Sequence, residues 1–380
     1  MTVISTWPDV SLPEAVDFLD SQRRPVRVGD RAKMRGSIPY YGASGIVDYV
    51  DSYLFDEELI LLGEDGENIL SRVVPLAFKI AGKSWVNNHA HVLRPKAEFD
   101  VDFLTAYLES LDYSGLNTGT AQPKLNKQSC STIRVVKPPL AQQRRIALAL
   151  RDADDLIATL QRMIAKKKSM KLGMMQQLLA GRTRLPGFGA PWSSEALGDI
   201  AAVNMGQSPL GLSYNTSGRG LPLVQGNADI RDRRTIERVW TTAPTKRCRV
   251  GDVVLTVRAP VGYAALATRD ACLGRGICAI SAGPDNGYLY YALVYAEPRW
   301  RVYEQGSTFT AVNSTEVRSF SIPWPSDAEE RKAIGDALDN VDAEVELLRS
   351  RLAKARDVKR GMLQELLTGH TRLPVNEGAA

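Results

Sequence analysis

The chain has 380 residues, with 48 Lys and Arg against 43 Asp and Glu, and a formal net charge of +5 at pH 7. That length supplies two hydrophobic cores and a connecting element. No apolar run approaches the length of a membrane span, and the first residues lack a charged region followed by an apolar one, so a soluble cytoplasmic protein is expected. Four cysteines (Cys130, Cys248, Cys272, Cys278) without a Cys-x-x-Cys pair, and only three histidines, argue against a disulfide framework or a structural zinc site.

In chain order, residues 1–138 read as a mixed α/β domain of irregular strands. Strand-like runs cover 58–62 and 85–93, and a helix is expected over 101–111. Turn chemistry surrounds them at 42–45, 64–68 and 114–120. His89 and His91 would share one face of the second run, which suggests either a metal or two structural histidines. With His370 the only other histidine and no cysteine nearby, the structural reading is preferred. Pro138-Pro139 stops this domain. Residues 139–184 predict a long helix, 185–325 a second mixed domain opened by a Pro/Gly linker, and 326–374 a second long helix. Residues 375–380 are a tail.

An internal repeat organises these elements. Lys-Leu-Gly-Met-Met-Gln-Gln-Leu-Leu-Ala-Gly-Arg-Thr-Arg-Leu-Pro begins at Lys171. Lys-Arg-Gly-Met-Leu-Gln-Glu-Leu-Leu-Thr-Gly-His-Thr-Arg-Leu-Pro begins 188 residues later, at Lys359. Ile146, Leu150, Ala153, Ile157, Leu160, Ile164, Lys167, Lys171, Met174 and Leu178 alternate steps of four and three. Ile334, Leu338, Val341, Val345, Leu348, Leu352, Ala355, Lys359, Met362 and Leu366 repeat that register. Such spacing predicts a coiled-coil seam; the plain alternative is two helices packed separately on their own domains. Gly181 and Gly369 stand where a helix C-cap belongs, with Pro186 and Pro374 beyond. Lys167 and Lys171 interrupt the first seam, so the helices either splay there or meet something acidic.

Charge is unevenly distributed. Residues 1–140 carry −3, 141–186 carry +7, 187–328 carry +2 and 329–374 carry 0. The basic helix, with Lys166, Lys167 and Lys168 at its middle, is a phosphate-facing surface, a solvated face, or the complement of Asp336, Asp339, Asp342, Glu344 and Glu346 on the second helix. The last reading is preferred. The two globular copies correspond weakly: Trp7 and Leu12 to Trp192 and Leu197, residues 39–42 to 222–225, 117–120 to 304–307, and Asn126 to Asn313. Frames kept alike and heads kept unlike suggest one mechanical task with two targets.

Several motifs together resemble the specificity subunit of type I restriction–modification systems. They are Ile38-Pro-Tyr-Tyr-Gly-Ala-Ser-Gly45, Leu61-Leu-Gly-Glu-Asp-Gly66, Trp85-Val-Asn-Asn-His-Ala-His91, Thr308-Phe-Thr-Ala-Val-Asn313 and the paired Gly-Met-x-Gln-x-Leu-Leu-x-Gly-x-Thr-Arg-Leu-Pro blocks. The resemblance spans essentially the whole chain, although the second helix is entered through the more acidic Trp324-Pro325-Ser326-Asp327. It implies an α+β fold with two mixed α/β target recognition domains, two long helices forming an antiparallel coiled coil, and a pseudo-two-fold repeat. It also implies double-stranded DNA as ligand, two methylation subunits and a restriction/translocase subunit as partners, and S-adenosylmethionine, ATP and Mg held by those partners rather than by this chain. From Ile146 to Leu178 a helix rises roughly 50 Å, against about 34 Å for a DNA turn. Two unlike half-sites a little over a turn apart are therefore expected.

Base readout needs amides, hydroxyls and guanidiniums on loops. The candidates in the first domain are Tyr40, Tyr41, Ser44, Asn87, Asn88, His89, Asn117, Thr118, Thr120, Gln122 and Lys124. In the second they are Gln225, Asn227, Arg258, Arg275, Gln305, Ser307, Thr308 and Asn313. Any of these is equally an ordinary turn residue, and Tyr40 and Tyr41 are equally core aromatics. Met170, Met174, Leu178, Met362 and Leu366 are the expected partner contacts. Neither a Gly-rich cofactor loop nor a P-loop is present, and Lys137-Pro138-Pro139-Leu140 lacks the acidic or amide residue of an adenine methyltransferase motif. The chain thus reads as a non-catalytic binding module; a protein-binding adaptor and a stand-alone nuclease or methyltransferase are the rival classes.

Overall fold

The computed structural model describes residues 6–119, 122–300 and 311–374. It divides into two units, Met1–Gln161 with Arg351–Ala380, and Arg162–Ser350. Two long helices, Leu140–Leu178 and Ala328–Thr368, each contribute one half to each unit.

In the first unit the buried strand Leu59–Gly63 lies between Ala90–Pro95 and Ala77–Ile80, and Val16–Phe18 completes an antiparallel sheet of four. All five residues of Leu59–Gly63 are buried, as a strand covered on both faces requires. A second sheet orders Gly45–Val50, Arg35–Gly42, Lys83–Val86 and Phe55–Asp56, with Tyr40 opposite Trp85 and Tyr41 opposite Val86 in a parallel pair. Helix Val101–Ser110 covers the first sheet, its N-cap Asp100 accepting from the Phe103 amide.

The second unit repeats this frame. Val253–Thr256 lies between Ile277–Ser281 and Ala264–Leu266. The parallel pair recurs with Leu223 opposite Cys272 and Val224 opposite Leu273. The correspondence of residues 39–42 with 222–225 read from sequence is therefore the correspondence of these two registers. Asn126 and Asn313 also match in role: each N-caps a short helix, Lys127–Ser131 and Ser314–Ser319.

The single strand expected over 85–93 is instead two strands in different sheets. Asn87 Oδ1 accepts the His89 amide at 2.7 Å, an Asx turn that ends Lys83–Val86 before Ala90–Pro95 begins. His89 and His91 therefore share no face, and each imidazole takes its own carboxylate: Asp65 for His89 and Asp20 for His91. Among the described residues no group of three or more metal-ligating side chains forms.

Along the long helices the four-three residues turn inward. Ile146, Leu150, Leu160, Ile164, Ile334, Leu338, Val345 and Leu348 are buried, while Leu156, Met163 and Met170 are exposed. In the first unit Lys359 Nζ lies 2.5 Å from Asp154. In the second, Lys171 Nζ donates to both Asp342 oxygens at 2.6 and 2.7 Å, and Lys167 pairs with Glu344. Residue numbers rise on one helix as they fall on the other, and the two lysines that interrupt the seam meet acids. The C-terminal glycines take positive φ, +65° at Gly181 and +77° at Gly369. Gly181 abuts Trp192, and Gly369 abuts Trp7, whose indole donates to the Leu366 carbonyl at 3.2 Å.

This packing corrects two expected partner contacts. Leu178 (6% exposed) lies in the core of the second domain with Leu197, Tyr288 and Ile334. Leu366 (4% exposed) lies against Trp7, Phe103 and Ile146. The stripe that identifies a helix's inner face cannot say whether its own domain or another chain covers it. Met174 and Met362 are half-buried against the same two clusters, whereas Met170 stays 48% exposed.

Candidate nucleic-acid interface

In the first unit four loop segments converge. The Glu64 amide donates to the His89 carbonyl at 2.9 Å, the Leu125 amide to the Glu64 carbonyl at 2.7 Å, the Gly66 amide to the Pro123 carbonyl at 3.0 Å, and the Asn87 amide to the Tyr41 carbonyl at 3.1 Å. Segments 41–45, 63–66, 87–89, 117–119 and 122–125 are thereby held as one surface.

Beneath it lies a buried ionic network. His91 Nδ1 is 2.7 Å from Asp20 Oδ2, and Nε2 is 2.9 Å from the Leu125 carbonyl. Both partners only accept, so both ring nitrogens carry hydrogen and the ring is an imidazolium. Burial opposes that charge, but the Asp20 hydrogen bond, helped by Cys130, outweighs it and lifts the His91 pKa to about 10. Arg23 extends the network to Glu64 and the Ala90 carbonyl, each at 2.7 Å, and Lys124 reaches Glu64 at 3.4 Å. Five charged groups thus fix the loops that carry the exposed polar side chains.

Ser44, Asn88, His89, Thr118, Gln122 and Lys124 lie exposed on this surface. Asn117 turns inward to its own loop, Oδ1 accepting from Gly119 and Lys124 amides at 3.0 and 2.8 Å. Asn87 is buried in its turn, and Tyr41 is half-buried, its ring 6.2 Å from Phe78. Tyr40 is a core aromatic. It is 1% exposed, its hydroxyl accepts the Val26 amide at 3.0 Å, and Arg31 covers its ring, so it has no face for DNA. Thr120 lies outside the described residues.

The second unit assembles an equivalent surface. The Gln207 amide donates to Leu273, Gly274 to Val224, Val257 to Gly276 and Val312 to Val257, at 2.8–2.9 Å. Gly274 and Gly276 let the chain pass Gln225 closely: a Cβ at Gly276 would stand 2.3 Å from the Gln225 carbonyl oxygen. Gln225, Asn227, Arg258 and Arg275 are exposed there. Gln225 Nε2 reaches the Tyr214 hydroxyl at 3.1 Å, and Arg275 reaches Ser208 Oγ through its amide and Nε at 3.2 and 3.3 Å. Asn313 spends its side chain on the cap of Ser314–Ser319. Gln305, Ser307 and Thr308 lie outside the described residues.

Sequence reading missed three features beside these surfaces. Arg24, Arg27, Lys33 and Arg35 are exposed cations of the segment that leads into Arg35–Gly42; it meets the first surface where the Arg24 amide donates to the Val86 carbonyl. The −3 total of residues 1–140 concealed them. Leu210 and Leu212 protrude from the matching segment of the second unit. Asp65 sits at the centre of the first surface, its two oxygens 3.0 and 2.9 Å from His89 Nδ1.

The type I restriction modification DNA specificity domain matches residues 5–167 and 190–356. A Methanocaldococcus jannaschii protein, provisionally described as the type I restriction enzyme MjaX specificity subunit, is 30% identical over 266 residues, 66% of this chain and 62% of its own. The chain thus spans somewhat under two thirds of that relative's length. Two solved structures share the fold. The M. genitalium type I restriction–modification S subunit has a TM-score of 0.66 at 13% identity over 95% of this chain and 96% of its own. The HsdS subunit from Thermoanaerobacter tengcongensis has 0.52 at 24% identity over 96% and 97%. With the family match on both copies of the repeat, this chain belongs to the type I restriction modification DNA specificity family.

Proposed function

We propose that this chain is the DNA sequence-recognition subunit of a type I restriction–modification complex, binding an asymmetric bipartite target and positioning methylation and restriction subunits on it. One observation carries the reading. Two domains share strand registers and helix caps, yet carry different side chains at equivalent loop positions: Gly42, Asp65 and Asn88 in one, Gln225, Arg258 and Arg275 in the other. A frame kept constant under divergent polar loops suits two different base sequences.

In this reading the long helices pair as an antiparallel coiled coil whose length sets the non-specific gap. Their outward faces receive two methylation subunits and a restriction/translocase subunit. The chain itself is non-catalytic; S-adenosylmethionine, ATP and Mg belong to the partners, and the complex works in the cytoplasm. Among the described residues no helix is long and apolar enough to cross a membrane.

The test is to co-express the chain with its methylation subunits and map methylated adenines across a genome. A single asymmetric split motif is expected, and exchanging residues 1–138 should alter one half alone. An assembled complex that marks no motif would point to a protein-binding adaptor.

A further inference from the structure

The two recognition domains place a carboxylate and a guanidinium at the same point of their shared frame. Asp65 is the second residue after strand Leu59–Gly63, and Arg258 the second after Val253–Thr256. Registers fix the equivalence: Gly63 pairs with Ala90, and Thr256 with Ile277. Outside the named strands, Asp65 bridges Lys124 and Arg258 bridges Ala311, both antiparallel. Two residues past each bridge partner stands a helix N-cap, Asn126 or Asn313.

Around this point the copies differ in charge. His89 and Lys124 of the first domain are replaced by Gly276 and Ala311. Arg258 is exposed, and its side chain makes no hydrogen bond or ion pair among the described residues. Asp65 is oriented by His89, whose Nδ1–H lies between its two oxygens. A carboxylate has about four acceptor sites, so others remain open. Phosphate repels a carboxylate and is better suited by exposed cations such as Arg24 and Arg27. An acid at the centre of such a surface therefore calls for a partner that donates.

We propose that this shared position reads one G·C pair in each half-site, from opposite members. Asp65 accepts from the exocyclic amine of cytosine, and Arg258 donates to O6 and N7 of guanine, both in the major groove. His89 is a positioning residue that holds the Asp65 carboxylate. The inference rests on the DNA-recognition reading above and adds to it a specificity position in each domain.

The experiment is adenine-methylation mapping with the assembled complex of wild type, Asp65→Asn and Arg258→Gln, followed by methylation rates on duplexes altered at the implicated pair. Amide side chains favour adenine. Asp65→Asn should shift one base pair of the first half-site, changing discrimination there by about tenfold or more, and leave the second half unchanged. Arg258→Gln should do the converse. A wild-type half-site with no G·C pair in either half would overturn the proposal. So would variants that lower methylation uniformly without changing base preference, which is what a purely structural Asp65–His89 pair predicts. A wild-type complex that assembles and marks no split motif would refute DNA recognition itself, and the inference with it.

Discussion

His91 is the residue whose protonation is most tightly dictated by its neighbours. Its folded pKa of about 10 lies above the ordinary 6.5, so folding binds the proton. The stabilisation is complete below pH 6.5 and is lost as pH rises from 6.5 through about 10. Hydrogen-exchange protection of the Val92 and Leu125 amides, corrected for intrinsic rate, should fall across that window; probes in Val253–Thr256 of the second unit should not share the trend. Asp20→Asn should cost about 3–5 kcal/mol, because it leaves a buried cation without its anion. A variant as stable as wild type at pH 7 would show that His91 does not depend on Asp20. None of this was legible beforehand. The sequence marks His89 and His91 as alternate residues, but the partner that matters for His91 lies 71 positions away. Local patterns located the loops and could not tell which side chains the loops consume: Asn117 and Asn313 secure backbone, and Tyr40 fills the core.

Elements with a long period were the legible part. Ten four-three positions in each long helix, eight apolar in the first and nine in the second, identify its inner face without any knowledge of what lies opposite, and glycine followed by proline marks each end. The strand over 85–93 was misread because Trp85, Val86, Ala90 and His91 all tolerate β structure. Only the Asn87 side chain, acting on its own backbone, divides them. The two glycine caps make a graded prediction. A Cβ at Gly369 would lie 2.5–2.8 Å from Thr6 and the Trp7 indole, whereas at Gly181 it would first meet Trp192 at 3.4 Å. Both require positive φ, which costs an alanine about 1 kcal/mol. Gly181→Ala should lose about that much by urea unfolding, and Gly369→Ala two to three times as much; equal losses would mean that Trp7 moves aside freely. On the outward face Met170 and its repeat equivalent Val358 are 48% and 51% exposed. Glutamate at either should leave stability within about 0.5 kcal/mol and weaken assembly with methylation subunits, measured by mass photometry. Assembly unchanged in both would remove that face from the partner interface.

For the whole molecule, net charge is a poor guide to where a polyanion binds. The first 140 residues sum to −3, yet folding leaves Arg24, Arg27, Lys33 and Arg35 exposed in one segment and sends much of the acid elsewhere. Asp20 and Glu64 are taken up by His91, Arg23 and Lys124, Glu57 by Arg94, and Asp48 by Arg31. Arg24 and Arg27 remain exposed next to the loops, although the segment as a whole is acidic. Phosphate contacts release counterions, each contributing about 0.9 to the slope of log affinity against log salt. Arg24→Ala with Arg27→Ala should therefore lower that slope by about 2 for the assembled complex, weaken cognate and unrelated duplexes alike, and leave the methylated motif intact. Fluorescence titrations between 50 and 200 mM salt would measure it, on the order of the range over which such contacts act. An unchanged slope would take both arginines off the DNA backbone. A changed motif would make them readers of bases, and both would then join the loop surface rather than flank it.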